Sequence, residues 1–248
     1  MPIASTPDHV AVAVPDIPTS LQRWRDVLGG LVLWDFHNPT VFRGATLGFN
    51  GGGKLELLAP SEASEREMST GGPSGFVEAF LERFGTRVHH LTLKVPDLET
   101  ALEVLRAEGV EPTDVDLSDP TWREAFVRPS DVGGLIVQLA ATPYDDAKWA
   151  EVEGSTLPAL PVSGPRLLGP TLTSTDLAAS RRIWTLLGAT VHDDGADGDD
   201  AFTATWDDGT IDVRVQHGQR AGAVGLRFAD AGPRPSDPAL GPPVLAVR

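Results

Sequence analysis

The sequence of 248 residues contains no cysteine, and this absence excludes several kinds of chemistry. Without thiols the chain cannot form disulfides, bind a metal through thiolates or use a cysteine nucleophile. The absence is typical of proteins from a reducing compartment.

Basic residues are also few. Lysine and arginine number 20 against 35 aspartates and glutamates, which gives a formal net charge of -15. A nucleic-acid partner needs clustered basic residues, so this balance argues against one. With 41% hydrophobic and 22% charged residues, the composition is that of an ordinary soluble globular protein.

Long hydrophobic runs are missing as well. No apolar stretch approaches the roughly 20 residues that a membrane helix needs, so we expect no membrane partner. The N-terminus shows no basic segment followed by an apolar run, which predicts that there is no signal peptide. We therefore expect a cytoplasmic protein.

Two stretches of the chain are near-copies of each other: residues 8–16 and residues 88–97. In each, a histidine begins an alternating apolar strand, and an aspartate seven residues later is placed to cap a helix. Glycines end both predicted helices, and three short strands follow each of them. The chain therefore contains a repeated βαβββ unit.

The repeat also holds at the far end of each unit. His9 and Glu56 are 47 residues apart, and His90 and Gln138 are 48 residues apart. We predict an α+β fold in which paired βαβββ modules, residues 6–60 and 87–142, form a curled mixed-sheet cup. Together they make up a domain at residues 1–145.

A third, degenerate βαβββ module is predicted at residues 166–248, after a linker at residues 146–165 and with a Pro-rich tail. Where the first two modules carry histidine, this one has Gly169 or Pro170. Asp212 is expected near the position of Glu56, without a histidine partner. A fourth opening strand is predicted near Ala223. We expect the third module to cap the cup or to pair with a second chain, without a metal of its own.

Four polar residues occupy the inward positions of the first two modules: His9, Glu56, His90 and Gln138. A lone histidine at the start of a strand is usually structural, but two at matching repeat positions favour a common role. Two imidazoles, a carboxylate and an amide oxygen suit a divalent metal ion of borderline character. His89, beside His90 but on the opposite face, is predicted to pack in the core or to support a ligand rather than to be a ligand itself.

The paired modules, with His-Val-Ala-Val-Ala-Val-Pro-Asp and His-His-Leu-Thr-Leu-Lys-Val-Pro-Asp, resemble the vicinal oxygen chelate superfamily of glyoxalases, bleomycin resistance proteins and extradiol dioxygenases. The segments at residues 54–60 and 134–139 are most similar to the methylmalonyl-CoA epimerase and glyoxalase-like branch. The resemblance implies a cup holding one divalent ion (Zn, Co, Ni, Mn or Fe), with metal ligands at the four positions above.

The resemblance has two departures. Gln138 stands where that branch would have a glutamate, and the strand at residues 44–49 lacks the further glutamate that the epimerases use. An amide cannot act as a base near neutral pH, so Glu56 is the candidate catalytic residue.

These features predict a glyoxalase-like enzyme that moves a proton next to a carbonyl of a small oxygenated metabolite, as an isomerase, an epimerase or a lyase. One alternative is an extradiol-type dioxygenase, which also uses two histidines and a carboxylate. Another is a metal-free protein that binds a drug or metabolite. The partner is a small-molecule substrate in each case, and the sequence also allows a homodimer.

Overall fold

The computed structural model describes residues 1–38, 41–61, 75–152, 154–194, 200–207, 209–231 and 240–247. These residues form an α+β protein with two mixed sheets, which confirms the predicted fold class of repeated βαβββ modules. Residues 232–239 of the predicted Pro-rich tail lie outside the described residues.

The first two modules have the predicted order of elements. The first contains β1 (Thr6–Ala13), α1 (Ile17–Leu28), β2 (Leu31–Asn38), β3 (Phe42–Gly48) and β4 (Lys54–Pro60). A connecting helix, α2 (Phe76–Phe84), leads to the second module. That module contains β5 (Arg87–Lys94), α3 (Leu98–Ala107), β6 (Thr113–Asp116), β7 (Arg123–Val127), a short α4 (Pro129–Val132) and β8 (Ile136–Ala141).

The remaining elements repeat the plan in reduced form. Helix α5 (Asp146–Val152) occupies the start of the predicted linker. The third module contains β9 (Arg166–Ser174), α6 (Leu177–Leu186), β10 (Thr190–Asp193), β11 (Ala201–Thr205) and β12 (Val213–His217). Two further strands follow, β13 (Gly222–Ala229) and β14 (Val244–Val247).

An aspartate caps the helix of each of the three modules. Asp16, Asp97 and Asp176 each accept a hydrogen bond from the backbone N–H three residues later, at 2.8, 2.7 and 2.9 Å. Such a cap satisfies one of the N–H groups that the first helical turn leaves open. The aspartate seven residues after the predicted histidine therefore begins the helix, as the sequence indicated.

The strands form one sheet in the order β2-β3-β4-β1-β5-β8-β7-β6 and a second in the order β10-β11-β12-β9-β13-β14. In each of the three modules the first strand pairs with the last in parallel. Strands β13 and β14 pair in the same way, although only 14 residues separate Ala229 from Val244. The described residues of this segment therefore contain the outer two strands of a reduced fourth copy.

The chain forms two compact units. One comprises residues 1–9, 90–159 and 169–224. Inside it, α4 of the second module contacts α6 of the third, and a side chain at Gly133 would collide with the hydroxyl of Ser180. At Gly134 a Cβ would collide with the backbone of Gly222, so this position has no room for a larger residue. Close backbone packing therefore joins the second and third modules.

The other unit comprises residues 10–89, 160–168 and 225–248. In its core, Phe228 of β13 packs against Trp24 of α1 and Phe49, with ring centroids 6.2 and 5.1 Å apart. The three rings are almost completely buried. The reduced fourth copy therefore fills the core of the first module. The domain boundaries at residues 145 and 165 follow the sequence modules and stay a prediction.

Within the described ranges, no helix combines the length and the apolar character that crossing a membrane requires.

Candidate metal centre

Strand register places the four predicted ligands at equivalent positions in the two modules. In the first module, Ala11 of β1 pairs with Glu56 of β4, and His9 lies two residues before Ala11. In the second, Thr92 of β5 pairs with Gln138 of β8, and His90 lies two residues before Thr92. Residues two apart on a strand share a face, as do directly paired residues. Each module therefore presents one histidine and one polar partner on the same face.

Three of these four side chains meet. His9, Glu56 and His90 each offer a ligand atom, and these atoms all lie within 4.8 Å of one another. Both histidines are buried, at 8% and 6% exposure, and their rings meet edge to face with centroids 5.7 Å apart. Tetrahedral ligands of one zinc ion lie about 3.3–3.4 Å apart. The ligand atoms of His9, Glu56 and His90 would therefore have to approach one another by up to about 1.5 Å to share an ion.

The orientation of His9 is set by Asp8 and Lys94. The Nδ1–H of His9 donates to Asp8 Oδ2 at 2.7 Å, because an ionised carboxylate can only accept. The other Asp8 oxygen lies 2.9 Å from Nζ of Lys94. This arrangement leaves Nε2 of His9 as the nitrogen facing the site. A carboxylate behind a metal-binding histidine commonly orients it and raises its basicity. Asp8 directly precedes His9 in the sequence but was not among the predicted site residues.

Thr92 connects Gln138 to the site. Its hydroxyl donates to Oε1 of Gln138 at 2.5 Å and lies 3.0 Å from Nε2 of His9. Thr92 is fully buried, so this contact is shielded from water. Gln138 therefore reaches the ring of His9 through one bridging hydroxyl. As a metal ligand, Gln138 stays a prediction.

Glu124 of β7 is a second residue that the sequence analysis missed. Its Oε2 accepts hydrogen bonds from Nε2 of Gln138 at 2.6 Å and from the indole N–H of Trp122 at 2.8 Å. Strand register could have identified Glu124, because Phe126 pairs with Gln138 and Glu124 lies two residues before Phe126, on the same face of β7. A carboxylate therefore lies directly behind the amide of Gln138.

Each half of the site has apolar or aromatic surroundings. In the first module, α2 packs over Ala11, Ala13 and Leu58, which lie on the strand face that carries Glu56. In the second, half-buried aromatic rings surround the Glu124 region. Trp149 lies 6.3 Å from Trp122 and 5.1 Å from Tyr144, measured between centroids.

His89 packs among aromatic side chains of α2. Its ring lies 4.6 Å from the ring of Phe80 and 5.6 Å from that of Phe76. Burial lowers the pKa of His89 to about 4, so the imidazole is neutral at physiological pH. The structure thus places His89 in the core, in line with the predicted packing role.

The third module has different residues at the ligand positions. Thr171 of β9 pairs with Arg214, so the equivalents of the histidine and its polar partner are Gly169 and Arg214, not Asp212. Gly169 has φ of 134°, and a Cβ there would collide with the carbonyl oxygen of Asp212. Arg214 forms an ion pair with Asp194 at 3.0 Å. Our placement of Asp212 was therefore wrong, and a histidine does not fit at Gly169.

Together, the parallel outer strands, the modular register and the two buried histidines define a protein of the paired-βαβββ class with a candidate metal centre. The family model of the Glyoxalase/Bleomycin resistance protein/Dioxygenase superfamily matches residues 8–126. A mitochondrial methylmalonyl-CoA epimerase of Mus musculus is 30% identical over 141 residues, which are 53% of this chain and 70% of the mouse protein. The chain belongs to this superfamily.

One further relative agrees with this assignment, and one solved structure shares the fold. A mitochondrial methylmalonyl-CoA epimerase of Dictyostelium discoideum is 29% identical over 144 residues, 53% of this chain and 75% of that protein. The crystal structure of a hypothetical protein from Staphylococcus aureus has a TM-score of 0.66 and 13% identity. It covers 98% of this chain and 99% of its own, so the same fold extends through the third module and the reduced fourth copy.

Proposed function

We propose that the protein is a divalent-metal-dependent, glyoxalase-like enzyme that transfers a proton next to a carbonyl of a small oxygenated metabolite. The reaction would be an isomerisation, an epimerisation or a lyase step. The observation that supports it best is the approach of His9, Glu56 and His90 to within 4.8 Å. Two neutral imidazoles and a carboxylate are suitable ligands for Zn, Co, Ni, Mn or Fe.

The proposed ligands are His9, Glu56, His90 and Gln138. A divalent ion held there would supply a Lewis acid for a carbonyl oxygen of the substrate. Glu56 is the base in this proposal, taking the proton from the carbon beside that carbonyl. The apolar packing of α2 covers Ala11 and Leu58, which lie on the strand face that carries Glu56.

The two epimerase relatives are named for a coenzyme A ester, but the charges of this chain do not favour binding of such a ligand. Its net charge is -15, and Lys94, the cation beside His9, forms an ion pair with Asp8. Binding of several phosphate groups favours clustered arginine and lysine side chains. We therefore propose a small substrate without a phosphorylated tail. We also keep the cytoplasmic location, and a homodimer as an alternative to a monomer, as proposals.

The experiment is proton exchange in heavy water. Protein loaded with each of the five metals is incubated with small 2-oxo acids, with hemithioacetals and with methylmalonyl-CoA, and deuterium at the carbon beside the carbonyl is measured by mass spectrometry. We expect metal-dependent exchange that falls about 100-fold or more in E56Q. The control E103Q makes the same change on the exposed face of α3. Exchange that is equal in E56Q and wild type would disprove the role of Glu56.

A metal-free binding protein is the second candidate, and the Thr92 hydroxyl favours it, since it joins His9 to Gln138 by hydrogen bonds alone. This candidate predicts that a small molecule binds with equal affinity before and after chelation. Oxygen consumption distinguishes the extradiol dioxygenase from both candidates, because only the dioxygenase would consume oxygen with catechols when loaded with iron.

A further inference from the structure

Glu124 and Gln138 form a buried pair whose chemistry fixes which way the amide faces. The indole N–H of Trp122 is a donor only, so the Glu124 Oε2 that it contacts at 2.8 Å acts as an acceptor. The Gln138 atom 2.6 Å from the same oxygen must then be the amide nitrogen. The amide oxygen is left on the opposite side, where the hydroxyl of Thr92 donates to it at 2.5 Å.

We infer that Glu124 is a positioning residue, which turns the amide oxygen of Gln138 toward the metal position and so makes Gln138 an oxygen ligand. A glutamine without such a partner could equally present its nitrogen, which is a poor ligand because its lone pair is delocalised into the amide. The inference rests on the metal site of the proposed function, but it concerns one bond that can be tested by itself.

The position of Glu124 bears on the second departure noted in the sequence, the lack of a further glutamate on β3. Strand β3 of the first module has no carboxylate at residues 44–48, whereas β7, its counterpart in the second module, carries Glu124. In the first module the last strand carries a carboxylate, Glu56, and in the second it carries an amide, Gln138, backed by a carboxylate. Each module therefore contributes one carboxylate to the region of the site, from a different strand.

Removal of the Glu124 acceptor and its conservative replacement test the inference. E124M removes the acceptor that fixes the amide, and we expect the affinity for Co²⁺ and Zn²⁺, measured by calorimetry, to fall about 10-fold or more. Q138E places two carboxylates together and should lower the thermal midpoint of the metal-free protein. E124Q keeps an amide oxygen that can accept from both Trp122 and Gln138, so we expect it to retain metal affinity near that of wild type.

The control is E99M, which makes the same change at an exposed residue that pairs with Arg123 of the same strand as Glu124. Equal metal affinities for E124M and E99M, or a loss in E124Q as large as in E124M, would overturn the inference and leave the proposed function standing. Metal affinity that depends on Glu124, without proton exchange for any substrate, would support the inference and refute the proposed reaction. A wild-type protein that binds neither metal would overturn both.

Discussion

The hydroxyl of Thr92 lies 3.0 Å from Nε2 of His9, although 83 residues separate the two along the chain. Nδ1–H of His9 donates to Asp8, so Nε2 carries a lone pair, and the one hydrogen of the Thr92 hydroxyl can be donated either to that nitrogen or to Oε1 of Gln138. Without a metal, Thr92 therefore contacts the ligand atoms of two proposed ligands. A metal ion at Nε2 of His9 must displace the hydroxyl from that nitrogen, whereas the amide oxygen of Gln138 has a second lone pair for the ion.

Replacement of Thr92 by valine should therefore strengthen metal binding. The variant loses the hydrogen that this buried hydroxyl donates, which we expect to destabilise the metal-free protein by about 1–3 kcal/mol. A metal ion at Nε2 of His9 displaces the hydroxyl from that nitrogen in any case, so affinity for Zn²⁺ should rise several-fold. Chemical denaturation with and without metal, together with calorimetry, measures both effects.

The matched control is Thr171→Val, at the equivalent position of the third module. Thr171 is buried, and its hydroxyl oxygen has no hydrogen-bond partner among the described residues. We expect little change in stability or metal affinity there. Weaker metal binding in the Thr92 variant would contradict the competition between hydroxyl and metal.

Asp8→Asn should weaken metal binding. The substitution removes the negative charge that faces Nδ1–H of His9 and that Lys94 neutralises on its other side. Loss of such a partner typically costs 10- to 100-fold in metal affinity, and we expect a loss in that range by calorimetry. Lys148→Met, on an exposed lysine of α5, is a charge-changing control that should leave affinity unchanged. Unchanged affinity in Asp8→Asn would refute the orienting role.

His89 should make the fold sensitive to acid. In the folded protein its pKa is about 4, whereas in the unfolded chain it takes up a proton near the ordinary value of 6.5. Between these pH values the unfolded state binds more protons, so stability falls as pH drops from 6.5 to 4. The shift corresponds to about 3 kcal/mol. Urea denaturation at pH 7, 6, 5 and 4 measures the slope.

His89→Phe retains an aromatic ring against Phe76 and Phe80 and removes the titrating group. We expect a shallower loss of stability below pH 6.5 in this variant than in wild type. His217→Asn, at an exposed histidine of β12, should keep the wild-type slope. Identical slopes for all three proteins would show that burial of His89 contributes nothing.

Gly169→Ala should destabilise the protein by at least about 2 kcal/mol, because the new Cβ would meet the carbonyl oxygen of Asp212. Gly29→Ala measures backbone strain without a collision, because Gly29 has φ of 70° and ψ of 22°, in the left-handed helical region, and a Cβ there has nothing within 4 Å. We expect a loss of only about 1 kcal/mol for the Gly29 variant. Equal losses by thermal or urea denaturation would refute a steric bar to histidine at Gly169.

The sequence predicted the parts of the site that repeat. The matched spacings from His9 to Glu56 and from His90 to Gln138 follow from shared strand register, because both modules have loops of similar length. The aspartate caps could be predicted for the same reason. In the third module the loops differ in length, so spacing placed Asp212 where register has Arg214.

The groups behind the ligands could not be predicted in this way. Thr92 touches His9 across 83 residues, and Glu124 touches Gln138 across 14. Both contacts depend on side-chain directions that periodicity does not give. Strand β14 was missed because four residues beyond a Pro-rich stretch carry no periodic signal, and only pairing with β13 makes them a strand.

The most direct test of the metal centre is elemental analysis of purified protein. Wild-type protein is loaded with each of the five divalent metals, freed of excess by gel filtration and analysed before and after chelation, beside the His9→Ala and His90→Ala variants. The account predicts about one ion per chain, removed by the chelator and lost in both variants. Folded wild-type protein that retains none of these metals, or variants that retain as much as wild type, would contradict it.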